Sequence, residues 1–192
     1  MSNIIQMAMI NDPNISEEQR KQEIAYKNYV DEHIYNVKQA WFKMKHIRKI
    51  IDFIIREDQT NSAFILASID NQIQSHDASK YSLDEWEPYR KNFNPVNAQE
   101  KEDNIADFER AWNHHYMHNL HHWNFWYLYN QIDKMPLCFV VEMCCDWIAM
   151  SMKFGGNAVD WYLNEKLNNR IHLGEKQEKW ALTILKMYYN MQ

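Results

Sequence analysis

The stretch LCFVVEMCCDWIAMSMKF, residues 137–154, decides the fold. It is apolar on nearly every side at helical period, with Pro136 set as first helical residue and Gly155-Gly156 to close it. Such a helix is buried in the centre of a domain. It falls short of the roughly 20 apolar residues that span a bilayer, and it carries two acids. Glu142 and Asp146 lie four positions apart and so share a face. An ionised carboxylate in such surroundings is costly unless it is paired or bound to a metal. An Arg or Lys is the ordinary partner, but Lys153 is the only basic residue of this helix and stands one turn too far along. The cations for Glu142 and Asp146 must come from other segments.

The rest of the chain is composed to surround such a helix. At 192 residues it suits one domain with a sizeable core. Only 3 Gly and 4 Pro leave little turn material, which points to long helices and short links. A formal charge of -5 argues against extended nucleic acid or a membrane surface as partner, since phosphate binding wants a positive field. It leaves room for a small anionic substrate if a metal supplies the charge. Cys138, Cys144 and Cys145 sit in one apolar segment with neither zinc-finger nor redox spacing, which fits buried thiols in a reducing compartment. The first seven residues lack the basic region and apolar core of an export signal. We expect a cytoplasmic protein, with a homodimer left open.

Residues 1–15 are expected to form an N-terminal arm and residues 16–192 a single all-α domain, a helical bundle. Ser16-Glu17-Glu18-Gln19 has the capping-box pattern. Beyond it Ile24, Tyr26, Tyr29, Val30, His33, Ile34, Val37, Ala40, Trp41 and Met44 recur at helical spacing, which places His33 on the apolar face. Residues 46–58 read as continuing helix with a solvated basic face. Thr60 or Asn61 can cap a helix whose Phe64, Ile65, Ile69 and Ile73 lead to His76 and Asp77. Ser82-Leu83-Asp84-Glu85 reads as a second capping box, opening a short helix through Trp86, Tyr89 and Phe93, and residues 94–103 read as a surface loop. A helix over about 104–119 follows. Two amphipathic helices, about 157–167 and 175–191, should cover the core with Trp161, Tyr162, Trp180, Leu182, Ile184 and Leu185.

The chemistry concentrates at His76-Asp77-Ala78-Ser79-Lys80. Adjacent His and Asp can bind one cation from a single turn of backbone, with the carboxylate still able to bridge to a second. Lone His-Asp pairs are common, and a lone His33 would ordinarily be a core histidine satisfied by one hydrogen bond. The pair gains weight from His33 upstream, Asp146 in the buried helix, and five of the nine histidines falling within residues 114–122. On a helix His115, His118 and His122 share a face, and so do His114, His118 and His121, so spacing chooses neither set. His115 follows the stripe of Phe108, Ala111 and Trp112 and should face inward, with His122 beside it if the helix persists and His118 turned outward.

In chain order His33, His76-Asp77, Lys80, the histidine block and Asp146 resemble the H…HD…D signature of the HD-domain superfamily of helical metal-dependent phosphohydrolases. The H-D-x-x-K form resembles that of members with two or more metals. The motifs H-D-x-S-K-Y, H-H-x-x-x-N-x-H-H-W and E-M-x-x-D-W-x-A-M also resemble an uncharacterised family of bacteria and their phages, a closer match that implies no activity. The first resemblance implies an HD-type bundle with one divalent metal on His33, His76, Asp77 and Asp146, Asp77 bridging. It implies a second metal on His115 and His122, with His114 and His121 as alternates or outer partners. Nitrogen and carboxylate ligands suit Mn, Fe, Co, Ni or Zn. Lys80 would neutralise a phosphate oxygen, its plainer reading being an exposed helix-end lysine, and Glu142 would orient a ligand or pass a proton. The implied function is hydrolysis of a small phosphorylated metabolite, a nucleotide or cyclic nucleotide, by metal-activated water. Two other readings are an HD-type di-iron oxygenase and a non-enzymatic protein, its metal structural and an aromatic surface at Trp86 and Tyr89 binding a partner.

Overall fold

The computed structural model describes residues 10–58 and 61–190, and among them it is all-helical, as expected. The helices are α1 (Glu17–Lys45), α2 (Arg48–Asp58), α3 (Ser62–Ser75), α4 (Trp86–Phe93), α5 (Ala98–Asp103), α6 (Ile105–His118), α7 (Trp123–Leu128), α8 (Leu137–Phe154), α9 (Ala158–Leu167) and α10 (Glu175–Tyr188). Short 3-10 turns occupy Ala78–Tyr81 and Ile132–Lys134. The chain divides into two compact units. The first takes the residues up to Glu32 together with Asp77–Asn119, the second His33–His76 with Leu120–Gln192. No helix among the described residues is long and apolar enough to cross a membrane. Of the expected N-terminal arm, residues 1–9 lie outside the described residues.

The second unit is built on α8, whose Val140, Val141, Met143, Cys144, Cys145, Ile148 and Ala149 are all buried. α3 and α10 pack along it. α9 joins through Trp147, whose ring stacks on Tyr162 at 5.3 Å. The later half of α1 adds Val37, Ala40, Trp41 and Met44 to the same core. α8 opens one residue later than the sequence suggests, because Pro136 is extended (φ -64, ψ 152) and serves as N-cap. It closes where Gly155 and Gly156 take φ of 84° and 82°, a region costly for side-chain-bearing residues. α1 does not run on through residues 46–58. The N–H groups of His46 and Ile47 reach back only three residues, to Lys43 and Met44, and this tightened turn ends the helix before α2. Asn61 caps α3, accepting from the N–H of Ala63 at 2.9 Å, while Thr60 lies outside the described residues. Ile24, Phe64 and Trp161, expected on apolar faces, are instead exposed, at 42%, 69% and 44%.

The first unit packs the early half of α1 with α4, α5 and α6. Its buried apolar residues are Tyr26, Val30, Trp86, Tyr89 and Ala111, with Tyr26 meeting Trp86 edge-on at 4.9 Å. Burial of Trp86 and Tyr89 removes the aromatic surface that a partner-binding reading requires. The serine half of the Ser16 box forms, its Oγ accepting from the Gln19 N–H at 3.0 Å. The Ser82 box does not. Glu85 occupies the N-cap of α4 without a side-chain capping bond, because its carboxylate is engaged elsewhere, as described below. Residues 94–103 are not simply loop. Asn97 accepts from the Glu100 N–H at 2.9 Å and Glu100 accepts from the Val96 N–H at 2.6 Å, a reciprocal cap that starts α5.

Glu100 also closes a buried charge network. The fully buried Arg90 makes two parallel bonds to it, at 2.7 and 2.8 Å, and its Nε lies 3.1 Å from Glu23. Glu23 accepts in turn from the Trp86 indole at 2.6 Å. Removing one member of such a set strands the others in low dielectric. Arg90→Ala is therefore expected to cost about 3–5 kcal/mol in urea unfolding. Lys91→Ala, which breaks the partly exposed i,i+4 pair with Glu87 and removes a charge that acts on Glu100 only at longer range, should cost less than about 1 kcal/mol. Equal losses for the two variants would show that the buried network contributes nothing special.

Candidate metal-binding sites

Three elements of the second unit converge on α8. His33 comes from α1, where the helical stripe aims it inward. His76 is the residue at which α3 stops, its backbone turned out of helix (φ -48, ψ 128). Asp146 comes from α8 itself. His33 Nε2 lies 3.2 Å from Asp146 Oδ1 and 3.3 Å from His76 Nε2, and one ligand atom from each of the three falls within 4.8 Å of the others. Two donor atoms sharing a tetrahedral ion at about 2.0–2.1 Å stand about 3.3–3.4 Å apart, since that is the edge of the tetrahedron. The observed separations match that edge and exceed the roughly 2.7–2.9 Å of a charge-assisted hydrogen bond. His33, His76 and Asp146 can hold a metal ion.

Glu142, one turn before Asp146, addresses the far side of the imidazoles. Its Oε1 lies 2.9 Å from His76 Nδ1 and 3.2 Å from His121 Nδ1. A carboxylate oxygen can only accept, so both rings carry their proton on Nδ1 toward Glu142 and present Nε2 on the other edge. Burial pushes the Glu142 carboxyl up, but the imidazoles of His121 and His76 outweigh it and hold it down to about 2. Asp146 is likewise held well below the usual carboxylate range, against burial, chiefly by His33. The two acids of the apolar helix thus find histidines as their partners. His121 joins this cluster, its ring 4.4 Å from that of His76, a placement that the helical spacing alone did not assign.

The first unit holds a second constellation. Asp77 takes φ of 54°, a left-handed conformation that Asp tolerates better than most residues, and it leads into the 3-10 turn Ala78–Tyr81. Its Oδ2 is 2.6 Å from Lys80 Nζ, so Lys80 is a counter-charge within the site and not a solvated helix-end lysine, its side chain only 13% exposed. Its Oδ1 is 3.3 Å from Nε2 of the buried His115. Glu85, which the sequence reading used as a helix cap, is the residue it missed. Buried completely, it accepts from His115 Nδ1 and His114 Nδ1 at 2.7 Å each. Burial pushes its carboxyl up, yet bonds from His115, Ser79 and His114 hold it below its ordinary value.

The expected alignment of His115 with His122 on one helix is corrected. α6 ends at His118, Asn119 turning extended (φ -122, ψ 90), and His122 is the N-cap of α7 in the second unit. Its ring lies 4.1 Å from that of His121. His118 is exposed, as expected, its Nδ1 2.8 Å from the carbonyl of His114.

The stretch from residue 22 to residue 187, which carries both constellations, matches a family of unknown function (DUF5662). The chain belongs to that family. No curated protein and no solved structure matches it. The family membership assigns no activity, so the geometry must carry the functional argument. Outer carboxylates that fix ligand histidines typically alter metal affinity about 10–100-fold when changed. Glu142→Gln should therefore weaken Zn2+ binding at His33, His76 and Asp146 by about that factor in chelator competition, and Asp146→Asn should abolish binding there. Wild-type affinity in Glu142→Gln would show that the carboxylate does not orient the ligands.

Proposed function

We propose that the protein is a metal-dependent phosphohydrolase acting on a small phosphorylated metabolite, a nucleotide or cyclic nucleotide. The observation that carries this reading is the trio of His33, His76 and Asp146, with donor atoms 3.2 and 3.3 Å apart and Glu142 behind the imidazoles. Such a donor set of two nitrogens and one oxygen leaves a coordination position for water, the arrangement of catalytic and not structural sites. A divalent ion held by His33, His76 and Asp146 would supply an activated water near neutral pH and a Lewis acid for a phosphoryl oxygen. The chain's own residues do the rest. His33, His76 and Asp146 would hold the ion, Glu142 keeps Nε2 of His76 turned toward it, and a bound cation would add to the partial offset that His33 gives the charge of Asp146. The order of these residues along the chain, with its resemblance to the HD-domain superfamily, supports phosphate esters as substrates. Asp77 and His115 in the first unit are the natural ligands of a second ion, with Lys80 held at Asp77 to meet anionic substrate oxygens. We propose two divalent ions per chain, drawn from Mn, Fe, Co, Ni and Zn.

The test is a panel of mono-, tri- and cyclic nucleotides offered to the Mn2+-loaded protein, with free phosphate and nucleoside products followed by chromatography. Turnover of at least one compound is expected, lost in Asp146→Asn. Absence of any turnover by protein shown to hold its metal overturns the hydrolase. Iron in the isolated protein with oxygen uptake would favour the oxygenase reading in its place.

Removal of metal gives a separate expectation. A ligand present at about 100 times its dissociation constant stabilises the folded state by about 2.7 kcal/mol, so chelation should lower the thermal midpoint of the wild type and leave that of Asp146→Asn less affected. An unchanged wild-type midpoint after verified metal loss would mean that the ion is not linked to folding.

A further inference from the structure

The carboxylate of Glu85 is arranged as Glu142 is, but on the histidine block. Each of its oxygens accepts from one imidazole Nδ1, those of His114 and His115, at 2.7 Å. Ser79 Oγ and Asn119 Nδ2 stand 3.3 and 3.2 Å from His115 Nδ1, and Asn119 donates to Ser79 at 2.6 Å, so the ring is walled on that edge. Because Glu85 can only accept, Nδ1 of His115 is the protonated nitrogen, and Nε2 is the one carrying a lone pair. That Nε2 lies 3.3 Å from Asp77 Oδ1, also an acceptor, at the separation of two ligands on one small cation. His114 differs in one respect. Its Nε2 lies 3.7 Å from Asp84, whose side chain is 71% exposed, at the surface of the unit.

We propose that Glu85 is a positioning residue for a metal ion held by Asp77 and His115, fixing the tautomer and ring plane of His115, with His114 as the strut that anchors Glu85 and not as a ligand. This rests on the two-ion reading above and assigns roles within the histidine block that spacing left open. A two-point anchor restricts the carboxylate in a way a single hydrogen bond does not. Rotation about its terminal bond would break both imidazole contacts at once. The ring of His115 is thereby held before any ion arrives, so little ordering accompanies binding.

The experiment uses the full chain in an Asp146→Asn background, which removes the ion of the second unit, and titrates Zn2+ by calorimetry. One Zn2+ is expected to bind, about 10–100-fold more weakly when Glu85→Gln is added. His115→Ala should abolish that binding, whereas His114→Ala should retain it with a smaller loss. Histidine 15N spectra of the metal-free protein supply a readout independent of metal, in which His115 is the Nδ1–H tautomer with Glu85 intact and a mixture in Glu85→Gln. Because Glu85→Gln preserves shape, a native circular dichroism spectrum is expected, and Glu85→Asp serves as a second variant if it is not. Unchanged Zn2+ affinity and an unchanged tautomer in the Glu85 variant overturn the positioning role while leaving the second ion in place. No Zn2+ bound by the Asp146→Asn protein with Glu85 intact overturns the second ion itself, and this role with it. Loss of Zn2+ in His114→Ala as complete as in His115→Ala overturns the strut assignment.

Discussion

Charge buried in an apolar helix is the constraint around which the second unit is arranged. α8 contributes ten buried residues, and one of them is Glu142. Neither Glu142 nor Asp146 has a lysine or arginine against it among the described contacts. Both meet imidazoles. Imidazole differs from a fixed cation in a way that matters here. A guanidinium would neutralise a carboxylate permanently and close the site, whereas a neutral imidazole offers one N–H to the acid and keeps a lone pair on its other nitrogen. At Glu142 the stabilisation therefore leaves a lone pair on Nε2 of His76 and of His121, and a metal ion is a group that such donors suit.

The backbone breaks serve the same end. α3 stops at His76 and the next residue, Asp77, adopts a left-handed conformation. Had the helix continued, side chains at consecutive positions would diverge by about 100° around its axis. The break instead lets consecutive residues serve different units, His76 in the second and Asp77 in the first. Asn119 ends α6 in a comparable way, and His121 and His122 follow in irregular backbone. His76, Asp77, His121 and His122 thus sit at chain breaks, where their directions are not limited to the faces of a helix, while His33, His115, Glu142 and Asp146 project from helix faces.

How much of this could be read from the sequence follows from the range of each interaction. Local signals were legible. The apolar run 137–154, the Ser16 cap and the Gly155-Gly156 stop each depend on neighbours within a turn, and each forms. His33, His76, Asp77 and Asp146 were named as a set by the resemblance to the HD-domain signature, and the need of buried acids for partners agrees with drawing histidines to Asp146. What escaped was decided across space. Ser82-Leu83-Asp84-Glu85 and Asn97-Ala98-Gln99-Glu100 carry comparable local patterns, yet only the second forms a box. Glu85 is drawn off by two imidazoles 29 and 30 residues later, and that bond outweighs a cap. The second box was passed over because the segment is so polar, although Asn three residues before Glu is itself a start signal. Helical phase likewise carried His115 inward correctly but could not extend to His122, because α6 ends at Asn119, where the expected helix also ended, and phase has no meaning beyond it.

The two carboxylates make one rule visible in two geometries. Glu142 gathers two rings on a single oxygen, at 2.9 and 3.2 Å, and Glu85 gives one oxygen to each of two rings, at 2.7 Å. The single-oxygen arrangement is longer and tolerates movement of either ring, since the second oxygen is uncommitted to them. The split arrangement is shorter and rigid, because displacing one ring pulls the carboxylate away from the other. If imidazole basicity follows the strength of the bond behind it, His115 is the more strongly donating ligand and His76 the more adaptable one. A tight, preorganised ligand favours retention of an ion, and an adaptable one favours changes of coordination as substrate oxygens enter and leave. The chain thus builds, from the same pair of residue types, one rigid carboxylate–imidazole set and a more yielding one.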